Sequence, residues 1–244
     1  VTNPVLSQDQ PDGSRAYCHP VTGELVPSVT TIINQVNKPL LTGWAARIAA
    51  EYAVDHWGEM SSWNPGVKVR QIKNAHERER DASAVLGTAV HAAIDDWCKG
   101  TPHRNPPEVN PYMGSFVKFL LEKRPEFVRT EVTLWNRTHD YAGTADAICI
   151  IAGKTWLIDY KTGKNLHDEV GLQLSALAHG EFIITPEGEE LPVPAIDGIA
   201  AVHIRPRSWH FVPVNYSEEN FRAFLAAKEL HRWSTEIKDG VLAA

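Results

Sequence analysis

At 244 residues the chain is long enough for one large domain or two small ones, and its 43% hydrophobic and 22% charged residues are ordinary for a soluble globular protein. No apolar run approaches the ~20 residues of a bilayer span and no signal-peptide pattern opens the chain, so a cytoplasmic protein with no membrane partner is expected. Cys18, Cys98 and Cys149 are too scattered for a disulfide framework or a closely spaced zinc or iron–sulfur set. The net charge of −6 argues against an indiscriminate nucleic-acid binder, but not against an enzyme whose acidic metal site lies beside basic phosphate contacts.

Residues 17–25 read as a small hairpin about a Gly-containing turn. Pro27-Ser28 opens a helical region with Ser28 as N-cap. Thr42 reads as the cap of a second helix, in which Trp44, Ala45, Ile48, Ala49 and Tyr52 recur at three and four. A loop at 61–66 leads into 67–80, where Lys68, Arg70, Lys73, Arg78 and Arg80 outnumber Glu77 and Glu79. That window is either a solvated, salt-bridged helix face or a phosphate-contacting edge. Helices are expected at 82–98, with Val90, Ile94 and Trp97 on one stripe, and near 112–123, separated by a Pro-rich loop at 101–111. Strands follow at 128–135, 142–151 and 155–161, then a helix at 166–180, strands at 198–204 and 209–214, and a helix at 217–233 capped by Ser217. This order implies one α/β domain with a mixed central β-sheet flanked by helices. It divides into an N-terminal hairpin and helical region (1–81), a core (82–216) and a C-terminal helix (217–244).

The chemistry concentrates in the central hairpin. Strand side chains alternate, so Asp159 and Lys161 share a face. With Ala152-Gly153 as the turn, Asp146 stands opposite Asp159; with Gly153-Lys154 as the turn, it faces Lys161. Both registers keep the three groups on one face. Ile148, Ile150, Leu157 and Ile158 imply a buried sheet, which disfavours a mere surface salt bridge, because unpaired charge there is costly. Facing carboxylates repel, and a divalent cation with hard oxygen ligands relieves that repulsion. An adjacent lysine then has a use in holding a phosphate and orienting water. His91, off the apolar stripe of its helix, reads by itself as a solvated or core histidine.

Taken in order, Gly87-Thr88-x-x-His91, Gly143-Thr144-x-Asp146, Asp159-Tyr160-Lys161-Thr162-Gly163 and Gln173 resemble the motif series of the PD-(D/E)XK nuclease superfamily. The likeness is to its RecB-like branch, which includes phage-encoded exonucleases and the CRISPR adaptation nucleases. Pro27-Ser28-Val29-Thr30-Thr31-Ile32, Lys38-Pro39-Leu40 and Trp44-Ala45-Ala46 also resemble phage members of that branch.

The resemblance implies a restriction-endonuclease-like core and a Mg²⁺- or Mn²⁺-dependent DNA exonuclease of phage or bacterial DNA recombination, repair or processing. In that reading His91, Asp146, Asp159 and the backbone carbonyl of Tyr160 hold the metal, and Lys161 is the catalytic lysine. Gln173 supports the site or a phosphate, and Glu131 serves a second metal position or holds Lys161; a solvent-facing strand Glu is the alternative for Glu131. The histidine tilts the preference towards Mn²⁺. Lys164, Arg78, Arg80, Arg205 and Arg207 are candidate DNA contacts, with Trp209 either stacking on bases or belonging to the core. Leu177 stands where the family often has a tyrosine. No iron–sulfur cluster is expected, since no cysteine follows Cys149, and no nucleotide cofactor, since no P-loop is present. Any helicase activity would come from a partner, as would a recombinase or single-strand-binding function. A structure- or sequence-selective endonuclease and a non-catalytic DNA-binding module are the competing readings.

Overall fold

The computed structural model describes residues 4–101 and 104–241. They cluster into two compact units: residues up to 36 together with those from 88 onward, and Asn37–Gly87. The 1–81 segment of the sequence reading is therefore divided between the two.

The first unit opens with a three-stranded antiparallel sheet of β1 (Ser7–Asp9), β2 (Arg15–Cys18) and β3 (Leu25–Pro27). The β2–β3 pair is the expected hairpin; β1 is too short to show a period. The short α1 (Val29–Ile33) follows, and Ser28 caps it as expected, accepting from the Thr31 N–H.

The second unit holds α2 (Pro39–Asp55), α3 (Trp57–Met60) and α4 (Pro65–Lys73). Thr42 is not a cap. Helix α2 starts three residues earlier with Pro39 in its first turn, where the missing N–H is no loss. Helix α5 (Ala75–Cys98) begins in this unit and ends in the first, seven residues longer at its start than its apolar stripe suggests. Its opening turns are built from Ala, Glu and Arg, good helix formers without an apolar periodicity to reveal them.

The rest of the first unit is α6 (Asn110–Lys123), β4 (Glu126–Asn136), β5 (Tyr141–Ile151), β6 (Lys154–Lys161), α7 (Glu169–Ala178), β7 (Phe182–Ile184), β8 (Glu190–Pro192), β9 (Gly198–Ile204), β10 (Trp209–Val214) and α8 (Glu218–Arg232). Ser217 caps α8 through the Asn220 N–H. The seven strands form one mixed sheet in the order β10-β9-β6-β5-β4-β7-β8, with β6 and β9 parallel and every other neighbouring pair antiparallel. The protein is thus an α/β fold with its mixed sheet flanked by helices, and among the described residues no helix is long and apolar enough to cross a membrane.

One face of the sheet packs Leu134, Ile148, Leu157 and Ile199 against α1, α7 and α8 through Val29, Ile32, Leu174, Leu177 and Phe224. On the other face the Tyr160 ring meets Phe116 of α6 edge-on at 5.8 Å, and Trp97 of α5 packs on Phe116 at 5.6 Å. Trp97 is still 43% exposed, so the stripe read from the sequence is buried only at Val90 and Ile94.

Gly143 fixes how closely α1 and α7 approach β5. A Cβ built there would lie 2.8 Å from Leu177 Cδ2 and 2.9 Å from Val29 Cγ2, both on buried side chains. Gly143→Ala should therefore destabilise the fold by about 1–3 kcal/mol through overpacking, measured by urea denaturation. An unchanged midpoint would show that the two helices can withdraw freely.

Candidate active site

The site grows out of one tight turn. Ala152 and Gly153 both have positive φ (51° and 75°), as a two-residue hairpin turn of the I′ kind demands. From it β5 and β6 pair from Ile151↔Lys154 to Ala147↔Ile158. This is the first of the two registers open to the sequence, and its next level brings Asp146 and Asp159 together. There the strands part, and β6 continues in parallel pairing with β9 from Trp156↔Gly198 to Lys161↔His203. The Asp146 side chain takes over where the β5 backbone stops, since Oδ2 accepts the backbone N–H of Tyr160. On the other side of Asp146, β4 pairs at Thr130↔Ala147 and Val132↔Ala145 but skips Glu131, whose φ is 50°. A non-glycine residue in that conformation within a strand is strained. Asp146 thus stands where the hydrogen-bonded ladder is broken on both sides.

Two sets of contacts close on the acids. His91 of α5 lies with Nδ1 3.0 Å from Asp146 Oδ1. Lys161 Nζ sits 2.7 Å from Asp159 Oδ2 and donates to Gln173 Oε1 at 2.8 Å, while Gln173 Nε2 donates to Asp159 Oδ1 at 2.7 Å. Lysine, glutamine and aspartate therefore form a closed ring between β6 and α7, the helix whose approach Gly143 permits. Asp159 is 5% exposed against 31% for Lys161, so the ammonium stands at the open side. Asp159 Oδ2 is buried and accepts no hydrogen bond, its ion pair with Lys161 being poorly aligned for one.

Burial dominates the electrostatics, and the neighbours decide the outcome. Burial opposes the charge on His91, but the Asp146 carboxylate outweighs it and lifts the imidazole to about 9. Burial likewise opposes ionisation of Asp146, yet His91 and the Tyr160 N–H hold it below its usual range. Asp159 is pushed up, first by burial and then by the charge of Asp146, against the pull of Lys161. Lys161 is raised because Asp159 overcomes its own burial. Among the described residues no three His, Cys, Asp or Glu side chains are spaced as a ready-made metal ligand set; in this arrangement each acid is matched by a cation of the chain itself.

Glu131 does not hold Lys161, which Asp159 and Gln173 engage instead. It reaches solvent, yet crowding by the protein and then the charges of Asp146 and Asp95 push it up to about 7. Sequence reasoning missed Tyr17, whose hydroxyl lies 2.9 Å from Thr144 Oγ1, itself 3.1 Å from Thr133 Oγ1. Thr144 belongs to the Gly-Thr-x-Asp run, so these hydroxyls brace β5 two residues before Asp146. Only the run itself signalled that Thr144 had a partner.

The basic candidates separate. Lys164 is exposed on the loop after β6, and Arg207 is exposed in the β9–β10 turn. The Arg205 guanidinium is engaged by the Thr162 carbonyl. Trp209 is half-buried and meets Phe119 edge-on at 5.4 Å, a packing contact on the α6 side of the sheet. Arg78 and Arg80 belong to the other unit. There Arg78 donates to the Gln71 carbonyl at 2.8 Å and covers the Tyr52 ring, while Arg80 pairs with Asp81. The solvated, salt-bridged helix face describes them.

No family model matches the chain, and no curated protein does. A solved structure described as that of SSO0001 is 16% identical over 78% of this chain and 84% of its own length, with a TM-score of 0.30, a likeness too loose to carry an argument.

Removing the ammonium from this ring leaves a buried carboxylate uncompensated. Lys161→Met should cost about 2–3 kcal/mol of stability in EDTA, and adding Asp159→Asn should restore most of it. Additive losses in urea denaturation would show that the two groups are not coupled.

Proposed function

We propose that the chain is a Mg²⁺- or Mn²⁺-dependent deoxyribonuclease of the PD-(D/E)XK kind, acting from DNA ends. The observation that carries this reading is the convergence of His91, Asp146, Asp159, Lys161 and Gln173, drawn from α5, β5, β6 and α7, around the point where two strands part. The β5–β6 turn accounts for Asp146 beside Asp159 and strand alternation for Lys161, but His91 and Gln173 come from two separate helices. A structural ion pair would need only two of them.

The donor set suits a divalent cation. Asp146 and Asp159 offer hard oxygens beside one imidazole, and Asp159 Oδ2 is a buried oxygen without a hydrogen bond. His91, Asp146, Asp159 and the Tyr160 carbonyl would hold the ion. When bound, the cation supplies a Lewis acid for the phosphate and makes a water molecule nucleophilic near neutral pH. The chain's own residues do the rest. An ammonium has three N–H donors; Lys161 donates one to Gln173 and pairs with Asp159 by charge alone, so it keeps donors for a phosphate oxygen at the open side of the site. Gln173 keeps Lys161 in place by accepting from it while donating to Asp159, so the amide can serve both only in one orientation. The Tyr160 N–H fixes one Asp146 oxygen and leaves the other towards His91.

Labelled linear and closed-circular DNA incubated with Mn²⁺ or Mg²⁺ tests this reading. Linear DNA should be degraded and the circle spared. Asp159→Ala and Lys161→Ala should each lower the rate at least about 10³-fold. Undegraded linear DNA, or full activity in either variant, would contradict the nuclease reading; cutting of the circle would contradict action from ends.

A further inference from the structure

We propose that a single DNA strand crosses this site along the β9–β10 edge of the sheet, contacting Lys161, Lys164, His210 and Arg207, with Arg205 and His203 as positioning residues. This rests on the nuclease reading and names the path of its substrate.

The register sets out the path. Lys161 of β6 is level with His203 of β9, which is level with His210 of β10. Partners across a sheet share a face, so the three lie in one row on the face that carries Asp159. The neighbours of His210 turn the other way: Trp209 packs on Phe119, and Phe211 lies edge-on to Trp156 with the Lys123 ammonium above it. Along the His210 face, Val214 packs against α7 beside Gly171. His210, four residues earlier, is exposed. Helix α7 therefore covers one end of this face and leaves the end level with Lys161 open. At ~4.8 Å per strand the row runs about 10 Å from Lys161 to the sheet edge, long enough to follow a DNA strand past more than one phosphate.

Charge is segregated in the same place. Residues 198–217 contain no Asp or Glu and carry His203, Arg205, Arg207 and His210; residues 160–167 contain none and carry Lys161, Lys164 and His167. In a chain with 30 acidic residues and a net charge of −6, these two segments meet at one edge. A basic strip leading to a pair of carboxylates is complementary to a phosphate backbone on its way to hydrolysis.

The loop that presents Lys164 is pinned from β9 and its end. His203 Nε2 donates to the Gly163 carbonyl at 2.8 Å, and the Arg205 guanidinium donates to the Thr162 carbonyl. Arg205 thus acts through Lys164 and not on the phosphate itself.

Anisotropy of a 5′-labelled single-stranded 15-mer in EDTA, where hydrolysis is off, measures the path without the chemistry. The pair His210→Ala and Arg207→Ala should weaken binding about tenfold. It should also make the salt dependence shallower by about 0.7, the share of the one permanent cation removed, Arg207, on a single strand. Lys154→Ala, at the β5–β6 turn, should leave binding unchanged. Arg205→Ala should weaken binding a few-fold in the wild-type background and not in the Lys164→Ala background, which a merely structural loss would not produce. Affinity within twofold of wild type in the double variant, with linear DNA still degraded by wild type, would overturn the path and leave the nuclease reading standing. Weakened binding as expected, with no degradation by wild type under Mn²⁺, would support the path and sink the nuclease reading.

Discussion

Asp146 and Asp159 stand side by side where β5 and β6 separate, and much of the surrounding structure bears the consequence of that placement. Two carboxylates removed from water repel each other and resist ionisation. The chain answers with an imidazole on one, an ammonium and an amide on the other, and a backbone N–H that the parting strands leave for Asp146. The answers come from three elements, so α5, β6 and α7 must be held in register to within a hydrogen-bond length. Gly143 sets the distance of α7, the Tyr17–Thr144–Thr133 hydroxyls brace β5, and the left-handed Glu131 breaks the β4 ladder at the level of Asp146.

Strain and open charge in this part of the sheet contrast with its apolar middle. Ile148 and Leu157 are a paired level in the core, two residues from the acids on each strand. The charged pair therefore borders a well-packed layer that does not yield, and the strands separate only beyond it. On its other side β6 pairs with β9 from Trp156 to Lys161, and beyond Ile158 that pairing alone holds the strand that carries Asp159 and Lys161.

The central hairpin was legible because it depends on local signals. Gly153 marks the turn and alternation sets the faces, which puts Asp146, Asp159 and Lys161 on one face in either register; the Ala152-Gly153 turn is what brings Asp146 level with Asp159. His91 and Gln173 were legible only through an ordered motif series, since neither side chain stands out in its own helix. Tyr17 and Glu131 could not be placed from sequence: one acts across 127 residues, and the other through a backbone angle that no residue type announces. β1, β7 and β8 are three residues each, too short for alternation to register. The start of α5 was hidden for the opposite reason, because its charged first turns have helix propensity without an apolar stripe. Trp209 reads equally well as a stacking surface or a core residue until the helix that packs beside it is known.

The central claim is that these two acids share one divalent cation. Calorimetric titration of Mn²⁺ into the protein tests it without any nucleic acid. Saturable binding should appear in wild type and be lost, or weakened at least about a hundredfold, in both Asp146→Asn and Asp159→Asn. Binding that persists unchanged in either variant, or no saturable binding in wild type, would contradict it.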